Sequence, residues 1–319
     1  MSRTLLAVFL VFASSGVVLA QPYPARPLRM VVTVPPGGIS DFTARILAPK
    51  LSEALGQPVV VDNKPGAGGN IASELVAKAA RDGHTLLIVA PPTAINVTLY
   101  KSLPFDTRRD LAPVALVGSV PNVLVVAPTV RANTVSEFID YGRRNPGKLN
   151  YASNSIGTSL HLSAELLKYY GRFYAVHIPY RGVPAAQAAL IAGEVDFMFD
   201  SLSTVLPQVR AGRSRALAVT SRERSAYLPG VPTMVESGFA DFEVSGWTGL
   251  MATGGSPAAA IERLEGELKK ILAQPEVIEA FEKPGMSVRF AGAREFAAFL
   301  DAEIARWSAA VKHSGATAD

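Results

Sequence analysis

The sequence contains no cysteine, which excludes disulfides, thiolate metal sites and thiol nucleophiles. A chain exported without disulfides rests on its core alone, and 319 residues with 49% hydrophobic and 18% charged content supply one, most simply as two domains. Histidine is scarce. His84, His161, His177 and His313 are the only four, none pairs with another at metal-ligand spacing, and no His-Glu-x-x-His run occurs. No metal and no cofactor is expected. An excess of one charge is lacking too, since 31 Lys and Arg face 27 Asp and Glu, and basic residues run no longer than pairs such as Arg108-Arg109. A nucleic-acid binder concentrates its basic residues in a stripe, so no nucleic-acid partner is expected.

Long apolar runs are confined to the first 20 residues. Arg3 is followed by the apolar stretch Leu5 to Ala13, then by Val18-Leu19-Ala20 before Gln21. Ser14, Ser15 and Gly16 break the run short of the ~20 residues that span a bilayer, so a cleaved signal peptide over 1–20 is expected rather than an anchor. No cysteine follows to carry a lipid. The mature chain is expected in the periplasm. Its formal charge drops from +4 to +3 once Arg3, the only charged residue of the leader, is removed.

From Leu28 onward, β-branched runs alternate with helical patterns. Leu28 to Val34 reads as a buried strand stopped by Pro35-Pro36-Gly37-Gly38. A helix follows with Ile39, Phe42, Ile46, Leu47, Leu51, Ala54 and Leu55 on one stripe, Ser40 or Asp41 as cap and Gly56 at the stop. Further strands are expected at Pro58 to Val61 and Thr85 to Ala90, with a helix carrying Ile71, Leu75, Val76 and Ala79 between them. The rhythm restarts near Val123 and runs to about Thr220, and helices close the chain. The expected architecture is α/β with two lobes, 21–122 joined by 247–319, and 123–246, and a ligand cleft between them. With no coiled-coil repeat, a monomer is expected.

Two loops stand where open α/β sheets gather ligands, after a strand and before a helix. Pro36, Gly37, Gly38 and Asp41 form the first. Its glycines let the backbone approach a ligand, and the following helix start favours an anion; a tight turn with Asp41 as a plain cap is the alternative. The second runs from Ser153 and Asn154 to Gly157 and Thr158, with His161 a turn below. It is rich in hydroxyls and amides and carries no charge, which suits a carboxylate held by neutral donors. Thr93 and Asn96 after the third strand, Tyr180 and Arg181 in Pro179-Tyr-Arg-Gly182, and Asp200 at another strand end complete the candidate lining. Arg181 can equally be a plain surface residue, and Asp41 and Asp200 can equally serve a ligand amino group or a helix start.

Enzyme motifs are missing. Gly66-Ala-Gly-Gly-Asn-Ile71 has Ile where a dinucleotide fingerprint needs its last small residue, and neither a phosphate-binding P-loop nor a Gly-x-Ser-x-Gly elbow occurs. His161 orients its loop more readily than it serves as a base, because no nucleophile accompanies it. An exported hydrolase or lyase using His161 and Asp200 is the disfavoured reading.

The ordered motifs Val34-Pro-Pro-Gly-Gly-x-x-Asp41, Val61-Asp-Asn-Lys-Pro-Gly-Ala-Gly-Gly-Asn70, Tyr151-Ala-Ser-x-x-x-Gly-Thr-x-x-His-Leu162, Gly193-Glu-Val-Asp196 and Glu303-x-x-x-Trp307 resemble the Bug-type extracytoplasmic solute receptors of tripartite tricarboxylate transporters. The resemblance runs from about Tyr23 to Gly315. It implies a periplasmic-binding-protein fold of type II-like form that closes by hinge motion on a small carboxylate solute, with integral-membrane transporter subunits as partners. It carries ligand contact onto Gly37, Gly38 and Asp41 and onto Ser153, Asn154, Gly157, Thr158 and His161. Ile39-Ser40 replaces a smaller pair common in that family. A sensor protein as partner is the other use of the same cleft. Ile39, Phe42, Thr93, Tyr180 and Asp200 are expected to set the choice of solute.

Overall fold

The computed structural model describes residues 23–318 except 241 and 243, so the expected leader lies outside the described residues. Ten strands form one continuous sheet. In the first lobe β1 (Leu28–Val32) pairs in parallel with β2 (Val59–Asn63) and β3 (Thr85–Val89), and β9 (Ser245–Thr253) runs antiparallel between β3 and β4 (Leu111–Val126). In the second, β5 (Leu149–Ser153) pairs in parallel with β6 (Ala175–Pro179) and β7 (Phe197–Ser201), and β4 runs antiparallel beside β7. Both lobes therefore repeat one order: second strand, first, third, then a returning antiparallel strand. The parallel strands read as near-continuous apolar runs because both faces are covered, and Met30, Val31, Val32, Leu87 and Ile88 are all fully buried.

β4 belongs to both lobes. Its residues up to Pro121 pair with β9, and Asn122 to Val126 pair with β7 and with β8 (Arg215–Val219). Pro121 faces Ser245, so the chain crosses between lobes on two adjacent strands. Only the Val123 end of β4 is legible as strand, because Pro113 and Pro121 argue against a sheet interior. Shifts of register at Pro113/Ala115 and Leu116/Gly118 accommodate the first half.

Helices α1 (Ile39–Leu55), α2 (Asn70–Ala77) and α3 (Pro92–Leu99) follow β1, β2 and β3, and α5 (Ser159–Gly171), α6 (Val183–Ala192) and α7 (Leu202–Arg210) follow β5, β6 and β7; α4 (Val135–Arg144) precedes β5. The residues after β3 form a helix started by Pro91-Pro92, whose missing N–H groups cost nothing in a first turn. Two expectations are corrected. The cap of α1 is Gly38, and Asp41 sits three positions inside the helix. Ile71, expected on the buried stripe of α2, is 50% exposed.

After β9 come α8 (Ala258–Leu272), α9 (Pro275–Glu282), the unanticipated edge strand β10 (Ser287–Gly292) along β4, and α10 (Ala293–Ser314). The buried Glu303 carboxylate accepts from the indole N–H of Trp247 at 2.8 Å and of Trp307 at 2.9 Å, which ties α10 to β9 and gives the Glu303-x-x-x-Trp307 motif its physical basis. α10 packs on α3 and β4 and also reaches α5. There the His313 ring stacks on Tyr169 at 4.3 Å.

Candidate ligand-binding cleft

Where the parallel strands of the two lobes end, their loops enclose a cavity of about 460 Å3, within the roughly 300–1,000 Å3 usual for small-ligand sites. Thr33 to Pro35, the Gly66–Gly69 turn and α3 face it from the first lobe, Ser155 to Thr158 from the second, and Thr317 with Ala318 from the tail. Among the described residues none of its lining side chains carries a formal charge. A depression along residues 97–109 has a similar volume, about 430 Å3, but one connecting segment walls it, so no lobe motion could close it. Across the main cavity the lobes touch. A Cβ added to Gly157 would lie 2.0 Å from Leu99 Cδ2, and the Gly157 φ of 75° is itself a glycine conformation.

The second loop is held from within. The Ser153 hydroxyl donates to the Ser155 carbonyl at 2.9 Å, and the Thr158 hydroxyl donates to Asn154 Oδ1 at 2.8 Å. Thr158 also caps α5 by accepting from the His161 N–H. The Gly157 N–H donates to His161 Nδ1 at 3.2 Å. Burial, then repulsion from His177 and Lys168, pushes His161 down to about 3, so the ring is a neutral acceptor at pH 7. Among the described residues the N–H groups of Ser155, Ile156 and Thr158 donate to no protein acceptor. Three unspent amides in the loop that leads into α5 make an anion-receptive edge.

The first loop is organised by Asp41. Its buried carboxylate accepts from the Gly37 N–H, from Arg45 Nε and from Asn63 Nδ2, each at 2.9 Å. Burial alone would raise this carboxyl, but Arg45, the Gly37 amide and Asn63 outweigh it and hold it below the usual carboxylate range. Both oxygens are thus spent within the protein. Pro36 and Gly37 are exposed and Gly38 is half-buried; all three flank the cavity, and Val34 and Pro35 line it.

Of the other expected residues, Asn96 lines the cavity and pins the Gly66–Gly69 turn, donating to the Gly68 carbonyl at 3.0 Å and to Asn70 Oδ1 at 2.8 Å. Thr93 is buried on α3, Tyr180 is half-buried and Arg181 exposed; none of them lines the cavity, nor do Ile39 and Phe42. Asp200 also stands apart from it. Fully buried near the end of β7, it accepts from Gln187 Nε2, the Thr204 hydroxyl and the Ser201 N–H. Residues that sequence reasoning did not single out are Thr33, Leu99, Tyr100, Ile156 and the tail. The Gly66–Gly69 run, part of the Val61–Asn70 motif, serves close approach, since a Cβ on Gly69 would lie 3.1 Å from Thr33 Cβ.

Burial drives the Asp200 carboxyl up to about 6, against the three donors that favour its anion. A carboxyl with a raised folded value binds protons more readily folded than unfolded. Stability should therefore fall as pH rises from about 4 to 6 and level off above. Chemical denaturation of wild type and Asp200→Asn between pH 4 and 8 should show the variant gaining on wild type with rising pH, by up to about 3 kcal/mol at ~1.4 kcal/mol per pKa unit. Parallel curves would show that Asp200 does not titrate in this window.

The family model described as "Tripartite tricarboxylate transporter family receptor" matches residues 43–316. The chain belongs to that receptor family. Protein BugT of Bordetella pertussis is 38% identical over 321 residues, covering 99% of this chain and 98% of BugT. Among solved structures, Rpa4515 of R. palustris with adipate superposes with a TM-score of 0.83 at 32% identity, covering 92% of this chain and 99% of that one. MatC from Rhodopseudomonas palustris with bound malate gives a TM-score of 0.79 at 32% identity, covering 91% and 100%. As in these receptors, the fold is α/β and of the periplasmic solute-binding type. No helix among the described residues is long and apolar enough to cross a membrane.

Proposed function

We propose that this receptor works in the periplasm, closes on a small carboxylate and passes it to membrane-embedded transporter subunits without changing it. The observation that carries this is the edge of unspent amides at Ser155, Ile156 and Thr158, set in a cleft without charged lining and closed by the Gly157–Leu99 contact. Neutral donors in a loop that leads into a helix hold a carboxylate with little desolvation cost to the protein. Val34, Pro35, Pro65, Leu99 and Ile156 offer the rest of the ligand an apolar wall. The family and the two receptors solved with adipate and malate support the same class of ligand.

In this reading the rigid bodies are 21–122 with 247–319, and 123–246, hinged where β4 and β9 cross. Gly157, Thr158 and Asn96 shape the ligand-facing surface, Ser153, Asn154, His161 and Asp41 brace its two loops from within, and residues 1–20 direct export. Capture without chemistry follows from where the candidate bases point. His161 Nδ1 is taken by the Gly157 amide, and the Asp200 oxygens by three internal donors.

Leader-free protein should be melted against adipate, malate, tricarboxylates, acidic amino acids and aromatic acids. A ligand present at 100 times its Kd should stabilise the fold by about 2.7 kcal/mol. A shift for one class names the solute. No shift with any acid, from folded and ligand-free protein, overturns the carboxylate reading.

A further inference from the structure

Beneath the Ser153–Thr158 loop lies a stack of three rings. His177 on β6 sits between its neighbours, with centroids 4.1 Å from His161 on α5 and 4.7 Å from Tyr151 on β5. The interplanar angles are 20° and 14°. At the foot of the stack the Tyr151 hydroxyl donates to Glu165, which also accepts from Lys168 Nζ at 2.7 Å. Each imidazole ties one end of the loop above: His177 Nε2 lies 2.6 Å from Ser153 Oγ, and His161 Nδ1 receives the Gly157 N–H.

The Ser153 hydroxyl has a single proton. Given to the Ser155 carbonyl, it leaves Oγ to accept from His177, and this pairing puts the His177 proton on Nε2. His161 accepts at Nδ1, so its proton is also on Nε2. Burial keeps His177 neutral as well, down at about 4, with Lys168 lowering it and Glu165 partly offsetting that.

We infer that His177 is a positioning residue for solute capture: by donating to Ser153 and by stacking on His161 it sets the curvature of the loop that presents the Ser155, Ile156 and Thr158 amides. This rests on the reading that the loop receives the ligand carboxylate. Without the Nε2–H donor the Ser153 hydroxyl is free to turn away from the Ser155 carbonyl, and the peptide groups beside it lose their fixed orientation. The amides then no longer converge, although the fold below the loop persists.

His177→Phe keeps a stacked ring and removes the donor; His177→Gln restores a donor near the same place. Adipate and malate affinities are measured by calorimetry on leader-free protein, with melting temperatures alongside. Affinity should fall at least ~10-fold in His177→Phe and recover most of that in His177→Gln, with melting temperatures of both close to wild type. Equal affinity in His177→Phe and wild type overturns the inference. Side-chain nitrogen NMR at pH 7 is the second arm: both rings should be neutral with the proton on Nε2, and an Nδ1–H tautomer or imidazolium at His177 overturns it. If the wild type binds neither acid, the affinities are compared with whichever acid of the melting panel it does bind; if it binds none, the carboxylate reading fails, and the tautomer measurement still decides the geometry assigned to His177.

Discussion

Gly157→Val should cost at least ~100-fold in solute affinity while leaving the receptor folded. The first atom of the new side chain would stand 2.0 Å from Leu99 Cδ2 and 3.2 Å from Leu99 Cγ. Leu99 is buried, so any shift of its side chain to relieve the overlap displaces neighbours or intrudes on the cavity it lines. The contact spans the cleft, so the overlap is felt in the closed form and is relieved when the lobes part. An affinity that requires closure falls by the fraction of molecules still able to close, and ~2.7 kcal/mol of overlap already corresponds to about 100-fold. The left-handed backbone at Gly157 adds roughly 1–2 kcal/mol for a β-carbon in either form, which should appear as a modest loss of melting temperature. Leu99→Ala in the same chain should restore much of the affinity. Binding that is unchanged in Gly157→Val, or a double variant no better than the single, would mean that the lobes do not meet at this point when ligand is held.

Asp41→Ala should destabilise the first lobe by about 2–4 kcal/mol, read as a lower urea midpoint. One carboxylate serves three donors from three places: the Gly37 amide in the loop, Arg45 one turn along α1 and Asn63 at the end of β2. Asn63 Nδ2 donates to the Val34 carbonyl as well, so the Asp41–Asn63 pair fastens the β1 end to the β2 end. Hydrogen bonds to charged groups contribute about 1.5–3 kcal/mol each, and donors left unsatisfied by truncation add to the loss. Arg45 is largely exposed, and its share is discounted accordingly. Because the folded carboxyl is held below its ordinary value, its contribution is complete above about pH 4 and fades as pH falls through the depressed value. The gap between wild type and Asp41→Ala should therefore narrow in acid. A gap that is constant with pH, or a midpoint unchanged at pH 7, would show that the carboxylate is not a brace. Solute affinity should fall with stability, since Val34 and Pro35 line the cavity just ahead of the loop that Asp41 holds.

Much of this architecture is written locally. Met30 to Val32 and Leu86 to Val89 are apolar on both faces, which only a covered parallel strand requires, and a polar loop followed by a 3.6-residue stripe identifies α1 and α5. The elements that escaped are those whose local signals conflict with their place. Pro113 and Pro121 disguise the shared strand β4, and β10 is a half-exposed edge whose alternation spans only Ser287 to Phe290 before Ala291-Gly292. Pro91-Pro92 opens the helix α3, for which the sequence reading has no assignment.

The cleft divides in the same way. The Ser153–Thr158 loop is legible as an uncharged, donor-rich passage from strand to helix, because hydroxyls, glycine and a helix start are adjacent in the chain. The role of Asp41 was open between ligand contact and helix support. It was decided by Asn63, 22 residues away, whose arrival depends on β2 lying beside β1. Asp200 was legible as a strand-end carboxylate; only packing shows it enclosed by Gln187 and Thr204. By itself the sequence determined the alternation of strand and helix, the absence of charge from the receiving loop and the membership of a receptor family, since each is carried by neighbours in the chain. Tertiary structure alone decided which loops face one another, that Gly157 meets Leu99, and that two histidines 16 residues apart stack beneath the loop, because those contacts exist only once two lobes have closed and three elements have packed.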